Sequence, residues 1–224
     1  MSLQKIHLRK LLLLFDASPK VRRRLLLEDI AASARRDFRR SEGLKDEGGD
    51  FYAPFWADAK KHAAGVLDLR EATKERIELN YRRKRLYPLL QEAFLRWWDE
   101  KRRWRNEPFE VIPQNVKAQF PISDLESIIK VEGLLAVRVG GEYNRVVYPY
   151  FCEVPALSPD SARIGLWVLG KALRNLPQED MRVLDLFRST SVGVRDLPLR
   201  GDERRRLIAN YGAVLEEWEN LKKG

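Results

Sequence analysis

The hydrophobic pattern of the chain changes at Pro108, and this change does most to limit the possible folds. Before it, the stretch from Thr73 to about Arg105 has helical spacing, with a bend expected at Pro88. After it, apolar residues fall in short strand-like runs that one helical segment interrupts. We therefore predict a mixed α+β fold: a helical N-terminal region, an α-β-β-β-α-β core and a C-terminal helix.

Capping and turn residues set the bounds of the elements after residue 108. The run Ser158-Pro159-Asp160 predicts a helix start, since serine caps the first turn, proline presets φ and an acid suits the helix dipole. Residues 140–144 predict a hairpin loop, and Asp202 predicts the cap of the last helix. The predicted strands are 109–112, 116–122, 128–139, 145–151 and 181–187, with a hairpin partner at 192–194, and the predicted helices are 158–173 and 203–221.

The N-terminal region is predicted to be helical. Residues 3–15 are apolar enough for a buried helix or a strand, and we favour the helix. Ser18 and Pro19 predict the start of a second helix, and residues 51–64 a third. A loop is expected at 43–50 because of its paired glycines. We predict a helical region over 1–72 and a mixed α/β domain over 73–224.

The composition limits the class of protein. The 224 residues include 42 Lys+Arg against 33 Asp+Glu, a formal net charge of +9, and 44% hydrophobic residues. This excludes disorder as the main description and allows a packed core. Because Cys152 is the single cysteine, an intramolecular disulfide and a thiolate zinc cluster are excluded. No apolar run is long enough for a membrane span, and we expect a soluble cytoplasmic protein without a membrane partner.

Basic clusters are the most visible candidate for a binding surface. Sharing one surface, they could neutralise backbone phosphates, and Trp98, the tryptophan expected to be exposed, could stack on unpaired bases. The alternative is that these are solvated helix faces with acidic partners and that the tryptophans belong to the core. The candidate nucleic-acid-binding residues are Arg82, Arg83, Arg85, Arg102, Arg103, Arg105 and Trp98, and further clusters lie at Arg22–Arg24, Arg35-Arg36, Arg39-Arg40 and Arg204–Arg206.

Familiar catalytic motifs are missing from the sequence. The two histidines, His7 and His62, form no metal-binding or triad pattern, and no phosphate-binding glycine loop occurs. Four acids lie in or beside apolar runs, but none is paired at a spacing suited to a divalent metal with a nearby lysine. We therefore predict no metal and no cofactor. The four acids are Glu132, Glu153, Asp160 and Asp185.

Three segments together resemble the RecB-like PD-(D/E)XK nuclease superfamily, over roughly residues 88–186. Residues 129–136 (IKVEGLLA) resemble that family's strand ending in Gly-x-x-Asp, and residues 145–150 (RVVYPY) its strand ending in Asp-Tyr-Lys. Residues 162–167 (ARIGLW) resemble the Gln-x-x-x-Tyr segment of its next helix. The order of helix, three strands, helix, strand and helix from residue 73 also matches. The resemblance implies a nuclease-like core that acts on nucleic acid.

This chain departs from the family at the catalytic positions. Ala136 and Tyr148 stand where the family has metal-binding acids, Tyr150 stands where it has lysine, and Arg163 replaces glutamine. A methyl group and two phenols cannot hold a divalent cation that prefers hard oxygen ligands. The resemblance thus implies a fold that has lost two-carboxylate hydrolysis, and it implies that Ala136, Tyr148 and Tyr150 face one cleft.

Two functions follow as expectations. The first is a non-catalytic protein that binds or helps to process DNA or RNA, with Tyr148, Tyr150 and Arg163 lining the former active-site cleft. The second is an adaptor or regulator whose arginine-rich helices bind an acidic protein. An enzyme of another class that uses Glu132, Glu153 or Asp185 would require at least two acids to converge in a cleft.

Overall fold

The computed structural model describes residues 3–44, 50–102, 108–112, 116–140 and 143–223, and they form the predicted α+β fold. The helices are α1 (Leu8–Asp16), α2 (Pro19–Ser41), α3 (Ala53–Ala63), α4 (Leu69–Leu79), α5 (Leu86–Arg96), α6 (Pro159–Ala172) and α7 (Glu203–Lys223). The strands are β1 (Lys5–His7), β2 (Phe109–Val111), β3 (Ala118–Ile122), β4 (Ser127–Val131), β5 (Leu135–Val139), β6 (Tyr143–Tyr150), β7 (Met181–Asp185) and β8 (Thr190–Gly193).

Both Ser-Pro helix starts that the sequence predicts are confirmed. Ser18 precedes α2, and its side chain accepts a hydrogen bond from the Val21 amide. Ser158 precedes α6, and its hydroxyl accepts a bond from the Ser161 amide at 3.1 Å. These local signals succeed because the cap satisfies backbone donors that the helix itself leaves unpaired.

The single helix predicted over residues 73–105 is wrong. Asn80 is extended, with φ −154°, and its side chain accepts from the Arg82 amide, so α4 ends there and a short 3-10 turn follows. Helix α5 begins at Leu86, which puts Pro88 in its first turn. Proline causes no bend in that position because its missing N–H would have no partner within the helix.

The strand predicted over residues 128–139 is also wrong as one element, because it divides into β4 and β5. These two strands belong to different sheets. Gly133 lies between them with φ +77°, a left-handed conformation that glycine adopts without steric cost. Likewise, residues 3–15 are not one helix, since β1 precedes α1.

The strands form two sheets. The three-stranded sheet has the order β1-β4-β3, with β1 parallel to β4. The five-stranded sheet has the order β2-β5-β6-β7-β8, in which β6 and β7 are parallel and α6 connects them. Both predicted hairpins are present as the antiparallel pairs β5/β6 and β7/β8. Five strands, not three, lie between α5 and α6, and three of these belong to the sheet that contains β7.

The five-stranded sheet separates two hydrophobic clusters. Along β6, Val146, Tyr148 and Tyr150 face the cluster under α1, α6 and α7, whereas Val147 faces the aromatic cluster under α3 and α5. Each cluster combines residues from before and after residue 72. The division into regions 1–72 and 73–224 stays a prediction.

Asp16, the last residue of α1, connects that helix to the start of α6. Its carboxylate accepts from the Ser158 amide at 2.8 Å, the Ser158 hydroxyl at 2.6 Å and the Ser161 hydroxyl at 2.7 Å. Asp16→Ala removes three charge-assisted bonds, so we expect a loss of about 2 kcal/mol in the free energy of unfolding, measured by urea denaturation. The control Glu92→Ala, at an exposed position of α5, should change it by less than about 0.5 kcal/mol. Equal effects would contradict a connecting role for Asp16.

Candidate functional site

The positions that the nuclease resemblance singles out lie on one face of the five-stranded sheet. Ala136 of β5 pairs with Val146 of β6, and Tyr148 and Tyr150 follow Val146 at alternate positions of the strand. Cross-strand partners and alternate residues share a face. All three side chains are buried, with exposed fractions of 3%, 2% and 0%. They therefore form part of the core under α1 and α6, and Tyr148 also lines a pocket.

Arg163, the fourth position, belongs to a separate surface network at the N-terminal end of α6. Its guanidinium donates to the Asp160 carboxylate at 2.9 Å and to the Pro198 carbonyl at 3.1 Å. Arg200 and Arg206 also bind Asp160, at 3.1 and 2.9 Å. Three arginines thus share one carboxylate, and the structure does not bring Arg163 together with the two tyrosines.

The predicted arginines after α4 differ in their surroundings. Arg82 is exposed. Arg83 donates to the Arg76 carbonyl at 3.1 Å and lies 5.4 Å from the centre of the Tyr87 ring. Arg85 forms an ion pair with Glu153 at 2.9 Å. Arg83 and Arg85 thus have partners within the chain, and the role of the three arginines in nucleic-acid binding stays a prediction.

The expectation that Trp98 is the exposed tryptophan is wrong, since only 5% of it is exposed. The ring stacks on Phe94 at 6.0 Å, and the Arg102 guanidinium covers it at 4.0 Å. A π-helical turn over Trp97–Lys101 causes this, because its wider turn rotates the side chains away from the positions of a continued α-helix. Trp98 thus has no free face on which a base could stack, and Arg102 is packed on aromatic rings. Arg103 and Arg105 lie outside the described residues.

A pocket of about 410 Å³ opens beside Tyr148. We call it the Tyr148 pocket, and its polar lining consists of His7, Arg9, Asp50, Lys60, Glu132 and Tyr148. Its volume is in the range of small-molecule sites. The lining comes from β1, the start of α1, α3, the turn between β4 and β5, and β6, so tertiary packing alone brings it together.

Burial shifts the pKa values of three side chains in the Tyr148 pocket. The phenol oxygen of Tyr148 accepts from the Arg9 amide at 2.7 Å, and burial raises the pKa of Tyr148 to about 12. Burial lowers the pKa of both His7 and Lys60, although Glu132, 3.7 Å from His7, opposes the shift of the histidine.

The charges of the Tyr148 pocket cancel. Arg9 forms an ion pair with Asp50, and the remaining cation and anion are Lys60 and Glu132. Within the described segments, no group of three or more His, Cys, Asp or Glu side chains is arranged to hold a metal ion. The pocket therefore suits a polar ligand that carries both hydrogen-bond donors and acceptors. The sequence analysis named His7 and Glu132 separately, but no local pattern joined them.

A second candidate surface is the arginine face of α2, defined by Arg35, Arg36, Arg39 and Arg40. At 100° per residue these four side chains fall within an arc of about 140° near the C-terminal end of the helix. In the described part of the chain, Arg35, Arg36 and Arg40 have no ion-pair partner, although Arg22 and Arg24 nearer the start of α2 pair with glutamates. The sequence showed these arginines as neighbouring pairs, and the helix places the pairs on one side.

No protein-family model, no curated protein and no solved structure matches the chain. Among the helices of the described segments, none is both long and apolar enough to cross a membrane. The fold and the site define an α+β protein with a charge-balanced polar pocket and an arginine-rich helix.

Proposed function

We propose that this protein binds DNA or RNA without cleaving it, and that the arginine face of α2 contacts the phosphate backbone. The observation that carries the proposal is that Arg35, Arg36 and Arg40 share one side of a helix and lack carboxylate partners among the described residues. Arginines whose charge is not neutralised by the protein itself are free to bind phosphates and to release counterions.

The position of this face also supports the proposal. Six residue steps separate Leu44, which follows the end of α2 at Ser41, from Asp50 of the Tyr148 pocket, so these two residues lie within about 20 Å of each other. One strand could therefore cross the arginine face and reach the polar pocket.

The absence of cleavage rests on the residues at the nuclease-like positions. Ala136, Tyr148 and Tyr150 offer no carboxylate, and burial raises the pKa of both tyrosines, which keeps them neutral. We propose that the fold descends from a nuclease-like domain of the PD-(D/E)XK type. The support is the three strands β2, β5 and β6 in one sheet, followed by α6 and by β7 parallel to β6.

The test is fluorescence anisotropy of labelled single- and double-stranded DNA and RNA over a salt series, with Mg²⁺ present and the products run on a gel. We expect binding that weakens steeply with salt and leaves the oligonucleotides intact. Arg36→Gln/Arg40→Gln should lower the slope of log K against log salt by about 1.5 and the affinity about tenfold.

The matched control is Arg174→Gln/Arg195→Gln, which removes the same charge at exposed positions on other elements. It should leave the slope and the affinity close to those of the parent chain. Equal losses of affinity in both variants would show that binding depends only on the net charge of the chain. They would contradict a specific role of the arginine face. Absence of binding at low salt would favour the acidic protein partner, and cleavage that depends on Mg²⁺ would overturn the non-catalytic assignment.

A further inference from the structure

The outer side of α2 carries a row of exposed apolar residues. Leu27, Ala31, Ala34 and Phe38 are all exposed, Leu27 by 43% and Phe38 by 65%. They follow one another at intervals of 4, 3 and 4 residues, the spacing at which one helix packs against another in a coiled coil. We call this row the apolar seam of α2. Leu27 and Phe38 are the large side chains of the row, the two alanines lie between them, and exposed apolar residues at helical spacing are a typical contact for a partner helix.

Charged residues on both sides of the seam are arranged so that α2 complements itself. One side has Glu28 and Arg35, and the other side has Arg23 and Asp37, and all four are exposed. Each side therefore carries one acid and one base. Along the chain, the acid precedes the base on the first side, and the base precedes the acid on the second side. Glu28 also lies 3.7 Å from Arg24 of its own helix.

We propose that the apolar seam of α2 binds the same seam of a second copy of this chain in an antiparallel helix pair. In the matching register Leu27 lies opposite Phe38 of the partner subunit, and Ala31 lies opposite Ala34 of the partner subunit. The two alanines at the centre allow the helix axes to approach closely, because interaxial distance follows side-chain size at the contact. At each end of the contact, Leu27 then packs against Phe38 of the partner subunit.

The charges select the antiparallel direction. Antiparallel pairing places Glu28 within two residues of the level of Arg35 of the partner subunit, on the same side of the pair. A parallel pair would instead place each residue opposite its own copy, so that the two Arg24 side chains would meet on the seam. Arg36 and Arg40 lie roughly 150° around the helix from the seam. The dimer thus leaves Arg36 and Arg40 open, whereas it engages Arg35 of the arginine face.

The dimer is expected to be weak because the seam covers about three helical turns. Interfaces of this size lie at the low end of specific association, so we expect dissociation on the order of 10–100 μM. Sedimentation equilibrium of the full chain from low micromolar to millimolar concentration measures this. Phe38→Glu should abolish association, whereas the control Leu79→Glu, at an exposed apolar position of α4, should leave it unchanged. A chain that stays monomeric throughout would overturn the proposal.

A charge exchange tests the pairing of individual residues. Glu28→Arg and Arg35→Glu should each weaken the dimer about tenfold, since each replaces two attractive pairs by two repulsive ones. The double variant Glu28→Arg/Arg35→Glu should restore association to near the parent level. Because these positions are exposed, circular dichroism should show the same helix content in all three. Failure of the double variant to restore association would overturn the antiparallel register.

Disulfide cross-linking tests the direction of the pair. In a Cys152→Ser background, chains with Leu27→Cys mixed with chains with Phe38→Cys should form a heterodimer upon mild oxidation. Leu27→Cys alone should form little covalent dimer, because in the proposed register the two copies of residue 27 are about 16 Å apart along the helix axis. Efficient dimers of Leu27→Cys alone, without the mixed product, would establish a parallel pair and overturn the proposal.

Discussion

Replacing Trp97 with alanine is expected to lower the free energy of unfolding by about 3–5 kcal/mol, as large-to-small changes in a packed core do. The ring is fully buried and contacts Phe94 and Trp98, with centroids at 5.9 and 5.8 Å. Its indole N–H donates to the Ser191 hydroxyl at 3.1 Å. The truncation leaves a cavity between α5 and the five-stranded sheet, and it removes a link to β8.

Urea denaturation monitored by circular dichroism measures this loss. The matched control is Trp167→Ala on α6, where the ring is half-buried and packs on Phe120 at 5.5 Å. Since less surface returns to water there, the control should lose about 1–2 kcal/mol. Similar losses in the two variants would contradict the central position of Trp97 in the aromatic cluster.

Alkaline pH is expected to remove about 5 kcal/mol of stability between pH about 10 and about 12, through Tyr148 and Tyr211. Burial raises the pKa of each to about 12 in the folded chain, from an ordinary value of 10.0. The unfolded chain therefore releases these two protons first. The stabilisation is complete below pH 10 and is lost as the pH rises through 12. Tyr211 also donates a hydrogen bond to the Leu3 carbonyl, which its ionisation would abolish.

Denaturation curves at a series of pH values, with tyrosinate absorbance recorded in parallel, measure this dependence. The variant Tyr148→Phe/Tyr211→Phe should be less stable at pH 8, because the Arg9 amide and the Leu3 carbonyl lose their partners. Its stability should nevertheless fall less steeply above pH 10. An unchanged slope in this variant would show that other groups cause the alkaline loss.

Local signals in the sequence predicted the elements that local physics determines. The Ser-Pro starts of α2 and α6 depend on neighbouring residues alone, and both are present. The breaks at Asn80 and Gly133 were missed because the apolar pattern continues through both positions, and periodicity does not distinguish a strand that changes sheet from one that continues. Trp98 was misplaced because the prediction assumed regular α-helical rotation beyond Arg96.

The candidate site was less accessible to sequence reasoning than the fold. The Tyr148 pocket combines side chains such as His7, Lys60 and Glu132 from separate segments, so no spacing pattern marks it. The arginines of α2 were visible as pairs, but which of them lack an acidic partner among the described residues, as Arg35, Arg36 and Arg40 do, depends on the neighbours that the fold provides. Glu153 and Asp185, considered as catalytic acids, instead form ion pairs with Arg85 and Arg188.

The parallel pairing of β1 with β4 sets an order of events during synthesis. Lys5 pairs with Ile128, so the second residue of the pair is made 123 residues after the first. At ribosomal speed this interval lasts about 6 to 25 s. During this interval Leu11, Leu12 and Leu14 of α1 also lack their contacts with α6 and α7, because both helices are made still later. The segment of β1 and α1 is therefore secured only after residue 128 has been made, and a nascent chain that pauses before residue 128 leaves this apolar segment exposed to chaperones.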